Sequence, residues 1–392
     1  MTVSPCSDEE MCDFVAAARA KKAPFAVIGG GTKNTVGRPM QVSQDVSSSR
    51  LVGVTEYEPS QLFITARAGT AVEEIKKHLS ARNQELPFDP PDLRGLLGCG
   101  GDPTIGAVAA TNMSGPRRVS VGAVRDFLLG VRFVSGSANL ITAGGQVMKN
   151  VTGLDLTRLL AGSWGTLGII TSVTFKVLPR PERTATLILS GLSDETAVRA
   201  MAAAARSPFE ASGFAHVPAN LRGGGGTFIR IQGFERSVRY RSQKLRELLS
   251  EFGVADLLED DETSRVWTVI RDVRLFAGPP GRAVWRIHTR PDKGPGILRK
   301  IAADLDAHWF YDWAGSLVWL SCSDSGDAGS SKIRSALASE GHATLIKAPP
   351  EARERVPTFQ PLEPTLMRLT SGIKLSFDPD QIMNPGRMYH GV

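Results

Sequence analysis

The chain has few cysteines and no long apolar run. Its 392 residues include four scattered cysteines, Cys6, Cys12, Cys99 and Cys322, none of which has a partner at CxxC spacing. This pattern excludes a disulfide framework and fits a reducing, cytoplasmic compartment. No stretch of about 18 apolar residues occurs, so no transmembrane helix is expected. The N-terminus is acidic where an export signal would be basic and then apolar, so no export signal is expected.

A strong charge of one sign is also absent. The formal net charge is +6, and the lysines and arginines are spread along the chain. No basic stripe interleaved with aromatic residues occurs, so nucleic acid is not an expected partner. The modest basic excess is compatible with an anionic cofactor or with an acidic partner subunit. The length indicates two or three domains.

Two common nucleotide-binding motifs are missing. Residues 29–34 follow a strand but end in Asn34, where the dinucleotide fingerprint requires glycine. No acidic residue follows at the required distance, and no Walker motif occurs. These absences exclude a Rossmann dehydrogenase and a P-loop NTPase. No two of the six histidines have metal-ligand spacing, so no metal site is predicted.

Glycine-rich turns are abundant in the first half of the chain. They occupy residues 29–31, 98–106 and 162–168. Turn one, at residues 29–31, follows a predicted strand. Turn two, at residues 98–106, leads into a predicted helix. Converging N–H groups and a helix N-terminus both favour an anion, so the turns predict a phosphate-binding site.

The remaining pattern predicts an α+β protein with an antiparallel sheet. Helices are predicted at residues 8–20, 71–80, 193–206, 236–252, 295–306 and 330–340, the first two opened by capping boxes at Ser7 and Thr70. Strands are predicted at residues 24–28, 51–54, 62–65, 128–134, 140–148, 167–178, 186–189, 227–231, 283–287 and 316–319. The glycines at 223–226 indicate a hairpin or a mobile loop. A stiff break at residues 179–182 and a proline-rich tail predict domains at 1–182, 183–350 and 351–392.

The order of these motifs resembles the vanillyl-alcohol-oxidase family, also called the PCMH-type FAD-binding family. The resemblance covers the first 180 residues and the tail motif NPGR at residues 384–387. It implies a two-subdomain FAD-binding domain followed by an α+β cap domain. It also implies FAD contacts at Ile28, Gly29, Gly30, Gly31, Thr32, Lys33, Asn34, Gly69, Pro103, Thr104, Ile105, Gly106, Ala109, Asn112, Ser114, Gly115, Arg125, Asp126, Gly168, Ile170 and Asn384.

The residues after turn one bear on how the flavin is held. Family members with covalent flavin carry a histidine just after this turn. Thr32 and Lys33 stand there in this chain. The resemblance therefore implies non-covalent FAD.

Within the family, the chain resembles the smaller flavin subunits of glycolate oxidases. The stretch at residues 149–156 and the chain length carry this resemblance. It implies oxidation of glycolate, a small 2-hydroxy acid, to glyoxylate. It further implies a larger flavin subunit and an iron–sulfur subunit as partners that take the electrons. Through these partners the protein would lie at the periphery of the inner membrane.

No catalytic residue is identified from the sequence. Flavin oxidation of a hydroxy acid needs a base for the hydroxyl proton. Among the histidines, His288 is the preferred candidate, because Arg286 and Arg290 beside it could hold a carboxylate. Two alternatives stay open. One is a self-sufficient flavin enzyme, either a 2-hydroxy-acid dehydrogenase or a reductase like that for UDP-N-acetylenolpyruvoylglucosamine; the other is a structural subunit that binds FAD weakly.

Overall fold

A computed structural model describes residues 2–145, 154–221, 225–278, 281–323 and 326–392. Most of the stretch at 149–156 that carries the glycolate oxidase resemblance lies outside these ranges. So do the first two glycines of the run at 223–226. Described residues in these two segments begin at Leu154 and Gly225.

The part of the chain up to Pro179 forms two main sheets. A parallel sheet has the order β1-β3-β2, and an antiparallel sheet has the order β4-β5-β9-β7-β8; β6 pairs with β10. The strands are β1 (Thr2–Val3), β2 (Phe25–Ile28), β3 (Gln44–Ser47), β4 (Val54–Glu58), β5 (Phe63–Arg67), β6 (Gln84–Glu85), β7 (Leu128–Val134), β8 (Leu140–Gly144), β9 (Ile169–Lys176) and β10 (Leu178–Pro179). The helices are α1 (Asp8–Ala20), α2 (Val72–Ser80), α3 (Arg94–Leu97), α4 (Ile105–Thr111), α5 (Arg118–Val121), α6 (Val124–Phe127) and α7 (Leu156–Leu160).

Helix α1 begins where the sequence predicts it. The Ser7 hydroxyl accepts a hydrogen bond from the Glu10 N–H (3.1 Å), as expected for an N-cap. The Glu10 carboxylate accepts from the Cys6 N–H (2.8 Å), one residue before the cap. Met11 and Val15, at helical spacing, are fully buried and fix α1 against the parallel sheet.

Two local predictions in this region are wrong. The strand predicted at 51–54 begins only at Val54, since Leu51 is in a turn that closes over Gly69. Helix α2 has Ala71 as its N-cap, without a side-chain cap. The Thr70 hydroxyl instead donates to the Arg67 carbonyl (2.7 Å), because a tight turn ends β5 there. A local hydrogen bond has replaced the capping box.

The chain from Arg183 to Lys347 forms one eight-stranded sheet in which every pairing is antiparallel. Its order is β14-β11-β13-β12-β16-β17-β15-β18, which confirms the α+β class and the antiparallel sheet. The strands are β11 (Arg183–Leu189), β12 (Gly213–Val217), β13 (Gly226–Gly233), β14 (Ala255–Glu259), β15 (Arg282–Thr289), β16 (Ala307–Asp312), β17 (Leu317–Ser323) and β18 (Gly341–Lys347). The helices are α8 (Asp194–Arg206), α9 (Glu235–Leu249), α10 (Asp260–Arg271), α11 (Gly294–Asp304), α12 (Ser330–Leu337) and α13 (Pro350–Arg355). The sheet begins at Arg183 and ends at Lys347, and the domain divisions at residues 182 and 350 stay predictions.

The two faces of this sheet have different neighbours. One face packs against α8, α9, α11 and α12 in a large apolar core. The other faces the first part of the chain through a cluster rich in tryptophan. This cluster contains Trp164 of the first part and Trp267, Trp313 and Trp319 of the second. Burial of such large side chains holds the two parts together.

The tail returns to the first part through α14 (Pro364–Phe377), a helix that the sequence analysis missed. Its Lys374 is fully buried, and its ammonium group donates to the Thr166 carbonyl (2.7 Å), the Met383 carbonyl (2.7 Å) and the Asp378 carboxylate (2.6 Å). This network fixes the tail beside β2. In the described ranges no helix combines the length and apolar character needed to cross a membrane.

Candidate FAD-binding cleft

A cleft opens where β2 ends, between turn one and the start of α4. Its walls come from all three predicted glycine turns, at residues 29–31, 98–106 and 162–168, and from the tail. Some of the predicted FAD contacts line it directly, namely Ile28, Gly29, Gly30, Gly31, Thr32, Lys33, Asn34, Gly106, Gly168 and Ile170. The structure therefore brings together segments that are far apart in the sequence.

The first two glycine turns touch backbone to backbone. A Cβ atom added to Gly30 would lie 1.8 Å from the Asp102 carbonyl oxygen. One added to Gly101, whose φ is +80°, would lie 2.1 Å from the Gly30 carbonyl oxygen. Only glycine allows this approach. The glycines thus serve to bring two loops together as well as to leave room for a ligand.

Turn one presents a series of free backbone donors. The N–H groups of residues 29–33 form no hydrogen bond with any described residue. The five residues that carry these groups line the cleft. A run of converging backbone N–H groups forms an anion-binding nest. The arrangement fits the pyrophosphate of a dinucleotide such as FAD.

Thr104 adds an unsatisfied hydroxyl beside this nest. The side chain is buried, and its Oγ1 has no hydrogen-bond partner among the described residues. A Cβ added to Gly29 would lie only 2.4 Å from that oxygen, which places the hydroxyl against turn one. A buried hydroxyl without a partner is unfavourable. Thr104 lies behind Gly29 and is not among the residues that line the cleft. An anion bound at turn one is the kind of partner that would satisfy its hydroxyl.

Lys33 contributes positive charge to the cleft. Only 7% of the residue is exposed. Burial lowers the pKa of Lys33 to about 8, while Asp92 and Cys99 oppose the shift. Binding of a phosphate anion would favour its charged form. Lys33 is thus suited to neutralise an anionic cofactor.

Other predicted contacts lie behind the cleft and support its walls. Gly69 packs against the Ser48 carbonyl, and the Pro103 carbonyl accepts from the Val72 N–H (2.8 Å). Ile105 and Ala109 are buried on the core side of α4. These residues position α4, and its first turn faces the cleft through Gly106.

A further group of predicted contacts forms a linked turn after α4. Asn112, at φ +50°, accepts from the Arg125 N–H (3.0 Å), and Ser114 accepts from the Val124 N–H (3.0 Å). Asp126 accepts from the Ala123 N–H (2.8 Å) and caps α6, while the side chain of Arg125 is exposed. None of these four residues is among those lining the cleft.

Gly115 lies where this turn meets the second part of the chain. Its carbonyl accepts a hydrogen bond from the Trp313 indole (2.9 Å), and its N–H donates to the Phe88 carbonyl (2.9 Å). A Cβ at this position would lie 2.3 Å from the Asp89 carbonyl oxygen. Gly115 therefore joins the first part to the eight-stranded sheet.

Asn384 anchors the tail at the cleft. The side chain is fully buried, accepts from the Val27 N–H (2.7 Å) and donates to the Trp164 carbonyl (2.7 Å). The motif NPGR thus joins β2 to turn three. Arg387 of the same motif lines the cleft and donates to the Lys33 carbonyl (3.2 Å). Burial lowers the pKa of Arg387 to about 10.

Sequence reasoning missed several residues of the cleft wall. Trp164, Ser48, Ala107 and Thr111 line it in addition to the predicted residues. Ala107 and Thr111 are four residues apart and so share one face of α4, which means that helical periodicity was an available signal. Ser48 and Trp164 carried no such signal.

The histidines lie elsewhere. None of the six is among the residues lining the cleft. The ring nitrogens of His216 face Thr227 (3.0 Å) and Asp194 (3.3 Å), which indicates a structural role. His288 stacks on His342 across β15 and β18, with ring centroids 4.7 Å apart. In the part of the chain that the structure describes, no three His, Cys, Asp or Glu side chains form a possible metal site.

Known proteins share both the sequence and the fold. The family described as FAD binding domain matches residues 1–144. Glycolate oxidase subunit GlcE of Escherichia coli (strain K12) is 34% identical over 384 residues, which cover 97% of this chain and 97% of that protein. Glycolate oxidase subunit GlcD of Bacillus subtilis (strain 168) is 27% identical over 47% of this chain and 38% of that protein. The crystal structure of p-cresol methylhydroxylase with substrate bound superposes with a TM-score of 0.75 at 12% identity, covering 100% of this chain and 88% of that one.

These likenesses agree with the geometry of the cleft. The matched domain contains both turn one and turn two. The superposition shows the PCMH-type FAD-binding fold, and the coverage of GlcE extends over nearly the whole chain. The chain belongs to the family of the glycolate oxidase subunit GlcE, a family of FAD-linked oxidoreductases.

Proposed function

We propose that this chain is a subunit of a glycolate oxidase complex that binds FAD non-covalently. The observation that carries the proposal is the nest of five unpaired N–H groups at residues 29–33 beside the unsatisfied Thr104 hydroxyl. In this proposal the N–H groups and Thr104 bind the pyrophosphate, and Lys33 balances its charge. Asn384 and Arg387 hold the tail over the cofactor. FAD supplies the acceptor for the electrons of the substrate.

The residues of the cleft support non-covalent binding. Thr32 and Lys33 occupy the positions after turn one, and the histidines lie outside the cleft. The cleft instead offers hydrogen-bond donors and positive charge. Such contacts bind an anionic cofactor reversibly.

The proposed assembly with partner subunits rests on the similarity to GlcE. We infer that the chain works beside a larger flavin subunit and an iron–sulfur subunit, which carry electrons from glycolate to a membrane acceptor. The 97% coverage of GlcE supports this inference, because that protein is named as a subunit. Contact with these partners would place the chain at the periphery of the inner membrane. The product would be glyoxylate.

The test begins with the purified chain alone. We expect a flavin absorbance band, and we expect acid denaturation to release all of the flavin into the supernatant. Flavin that stays with the precipitated protein would contradict non-covalent binding. A colourless chain that also fails to bind added FAD would overturn the FAD assignment and favour a structural subunit.

The second stage adds glycolate without oxygen. We expect the flavin of the isolated chain to stay oxidised and to bleach when the two partner subunits are present. Bleaching of the isolated chain would favour a self-sufficient dehydrogenase. The variant Gly100→Ala should behave like the wild type in both stages, because a Cβ at that position would meet no atom within 4 Å.

A further inference from the structure

A groove of about 600 Å³ lies at the edge of the eight-stranded sheet, away from the FAD cleft. Arg118, His288, Trp313 and His342 line it, and we call it the arginine–histidine groove. The chain brings these residues from α5 of the first part and from β15, β18 and the turn after β16 of the second. The groove therefore exists only when both parts are docked.

The charges at the rim of the groove are mostly neutralised. Arg290 pairs with Asp292 (2.8 Å), and Glu340 lies 3.7 Å from Lys293. Arg118 is different, because it forms no ion pair among the described residues; burial and the charge of Arg125 lower its pKa, and Asp126 opposes this shift. The Arg118 guanidinium group lies over the Trp313 ring, 4.5 Å from its centre, and makes a cation–π contact with it.

A second unpaired arginine lies behind the groove wall. Arg286 is 5.0 Å from the Trp313 ring centre, and its Nη2 is buried without a hydrogen-bond partner among the described residues. Burial and the charge of Arg118 lower the pKa of Arg286 to about 10, so it stays charged at neutral pH. Asp312 opposes the shift of Arg286, but burial raises the pKa of Asp312 to about 7, so it only partly offsets this arginine. The groove keeps a net positive potential.

The two histidines add neutral hydrogen-bonding groups. Burial and the charge of Arg286 lower the pKa of His288, and the same causes lower the pKa of His342. Both rings are therefore neutral at pH 7. The two rings stack on each other, and His288 also packs against the Trp313 ring, with centroids 5.3 Å apart. A neutral imidazole carries one hydrogen-bond donor and one acceptor.

We propose that this groove binds a small hydroxy carboxylate. Arg118 pairs with the carboxylate through its planar guanidinium group, and the imidazole pair of His288 and His342 hydrogen-bonds the hydroxyl. One accessible guanidinium group matches a single carboxylate, and the neutral rings match a neutral hydroxyl rather than further negative charge. The identification of the hydroxy acid as one like glycolate rests on the proposed function.

The groove lies next to the turn at Gly115, where the two parts of the chain meet. Arg118 follows Gly115 by one short turn, and the Trp313 indole donates to the Gly115 carbonyl (2.9 Å). A ligand on Arg118 would therefore contact the same aromatic ring that holds the two parts together. This arrangement couples occupancy of the groove to the docking of the eight-stranded sheet.

The test is calorimetric titration of the FAD-supplemented chain with glycolate at constant ionic strength. We expect saturable binding that is about ten- to a hundredfold weaker in Arg118→Gln, because a charge-assisted pair is lost. The matched control Arg290→Gln removes a guanidinium from the same rim that already has a partner, and we expect less than a twofold change. Glycolamide and inorganic phosphate serve as the neutral and the dianionic probes, and both should bind at least tenfold more weakly than glycolate.

His342→Phe provides a second variant. His342 is exposed on an edge strand, and phenylalanine keeps the stacked ring while removing both nitrogens. We expect weaker glycolate binding with an unchanged melting temperature. Equal glycolate affinity in wild type, Arg118→Gln and His342→Phe would overturn the proposal, as would phosphate binding as tight as that of glycolate. Flavin absorbance of the same samples reports on the FAD assignment separately, so the two proposals fail by different signals.

Discussion

At the scale of single residues, the FAD cleft depends on two polar groups that are costly to bury. The Thr104 hydroxyl is buried without a hydrogen-bond partner among the described residues, and burial lowers the pKa of Lys33. Neither arrangement favours the apoprotein, because a buried unpaired hydroxyl and a desolvated ammonium both reduce stability. A bound anion would accept a hydrogen bond from the hydroxyl and would pair with the ammonium.

Replacement of Thr104 by valine tests this account. Thr104→Val should weaken FAD binding by about ten- to a hundredfold, since a hydrogen bond to a charged group contributes about 1.5–3 kcal/mol. The melting temperature of the apoprotein should stay equal or rise, because an unsatisfied hydroxyl is removed. Fluorescence titration with FAD and thermal denaturation measure the two effects.

Thr358→Val is the matched control for this change. The Thr358 hydroxyl is also buried without a partner among the described residues, but it lies beside β18. Its replacement should leave FAD affinity unchanged. Loss of affinity in both variants, or in neither, would contradict a role of Thr104 at the cofactor.

The lowered pKa of Lys33 predicts that FAD binding depends on pH. Burial lowers its pKa to about 8 in the free protein, and a bound pyrophosphate would raise it, so FAD binding takes up a proton near and above pH 8. The affinity should be constant below about pH 7 and fall by up to about tenfold per pH unit above pH 8. Titrations between pH 6 and pH 10 measure this slope.

Two variants of Lys33 distinguish the effect of its charge on FAD binding from the effect of its size. Lys33→Met should bind FAD more weakly at pH 7, with no slope near pH 8, and Lys33→Arg should keep its affinity to higher pH because arginine stays charged. The same slope in Lys33→Met as in wild type would assign the titration to another group.

The lowered pKa of Lys33 also affects the stability of the apoprotein, which should increase with pH. Stability should rise between pH 8 and about 10.5, where the unfolded chain binds the extra proton.

The sequence indicated some of these residues but not their partners. Thr32, Lys33 and Thr104 lie in local segments whose order resembles the family. Arg387 was not identified although the NPGR motif was, and Lys374 was missed in a helix that the sequence analysis did not predict. Their contacts are with backbone carbonyls far along the chain, and a local pattern does not specify such partners.

At the scale of elements, the cleft is a contact between two glycine turns. Gly30 and Gly101 approach the opposite backbone so closely that neither position accepts a side chain. Gly30→Ala should therefore separate the turns, lower stability by about 1–3 kcal/mol and weaken FAD binding tenfold or more. Gly100→Ala, one residue from Gly101 but facing open space, should change neither quantity by much. Urea denaturation and FAD titration of the pair check this, and equal behaviour of both variants would refute the packing account.

The predicted helices agree with the structure where the periodic pattern of apolar residues is strong. Helices α1, α8, α9, α11 and α12 lie within a few residues of the prediction. Strands β12, β14, β16 and β18 were missed, and so were helices α10 and α14. β12 is buried along its whole length, and β14 has a single buried residue, so neither strand shows an alternation of apolar and polar positions. Such elements are defined by their sheet neighbours rather than by their own sequence.

At the scale of the whole molecule, the tail completes the first part of the fold. Lys374 and Asp378 form a fully buried pair that also binds the backbone of residues 382 and 383. Lys374→Met should lower the free energy of unfolding by about 3–5 kcal/mol, because the Asp378 carboxylate is left buried without its cation. FAD affinity should fall as well, since Asn384 follows this anchor directly.

Two further variants test whether the buried ion pair causes the loss of stability in Lys374→Met. The double variant Lys374→Met with Asp378→Leu should recover part of the lost stability, because no charge stays buried. Lys300→Met, on an exposed face of α11, should have little effect. Urea denaturation of the four proteins measures these differences. Equal stability of the single and double variants would show that the ion pair is not the source of the effect.

The sequence by itself determined the class of the fold and the type of ligand. Glycine turns and helix periodicity are local properties, since backbone freedom and the spacing of apolar residues act within a few residues. They predicted an α+β protein with a phosphate-binding cleft, and the order of its motifs resembled the family to which the chain belongs. Only the tertiary structure decided which distant groups meet. The Lys374 anchor, the placement of Asn384 between Val27 and Trp164, and the stacked pair His288 and His342 depend on sheet order and register, which are set by packing over the whole chain.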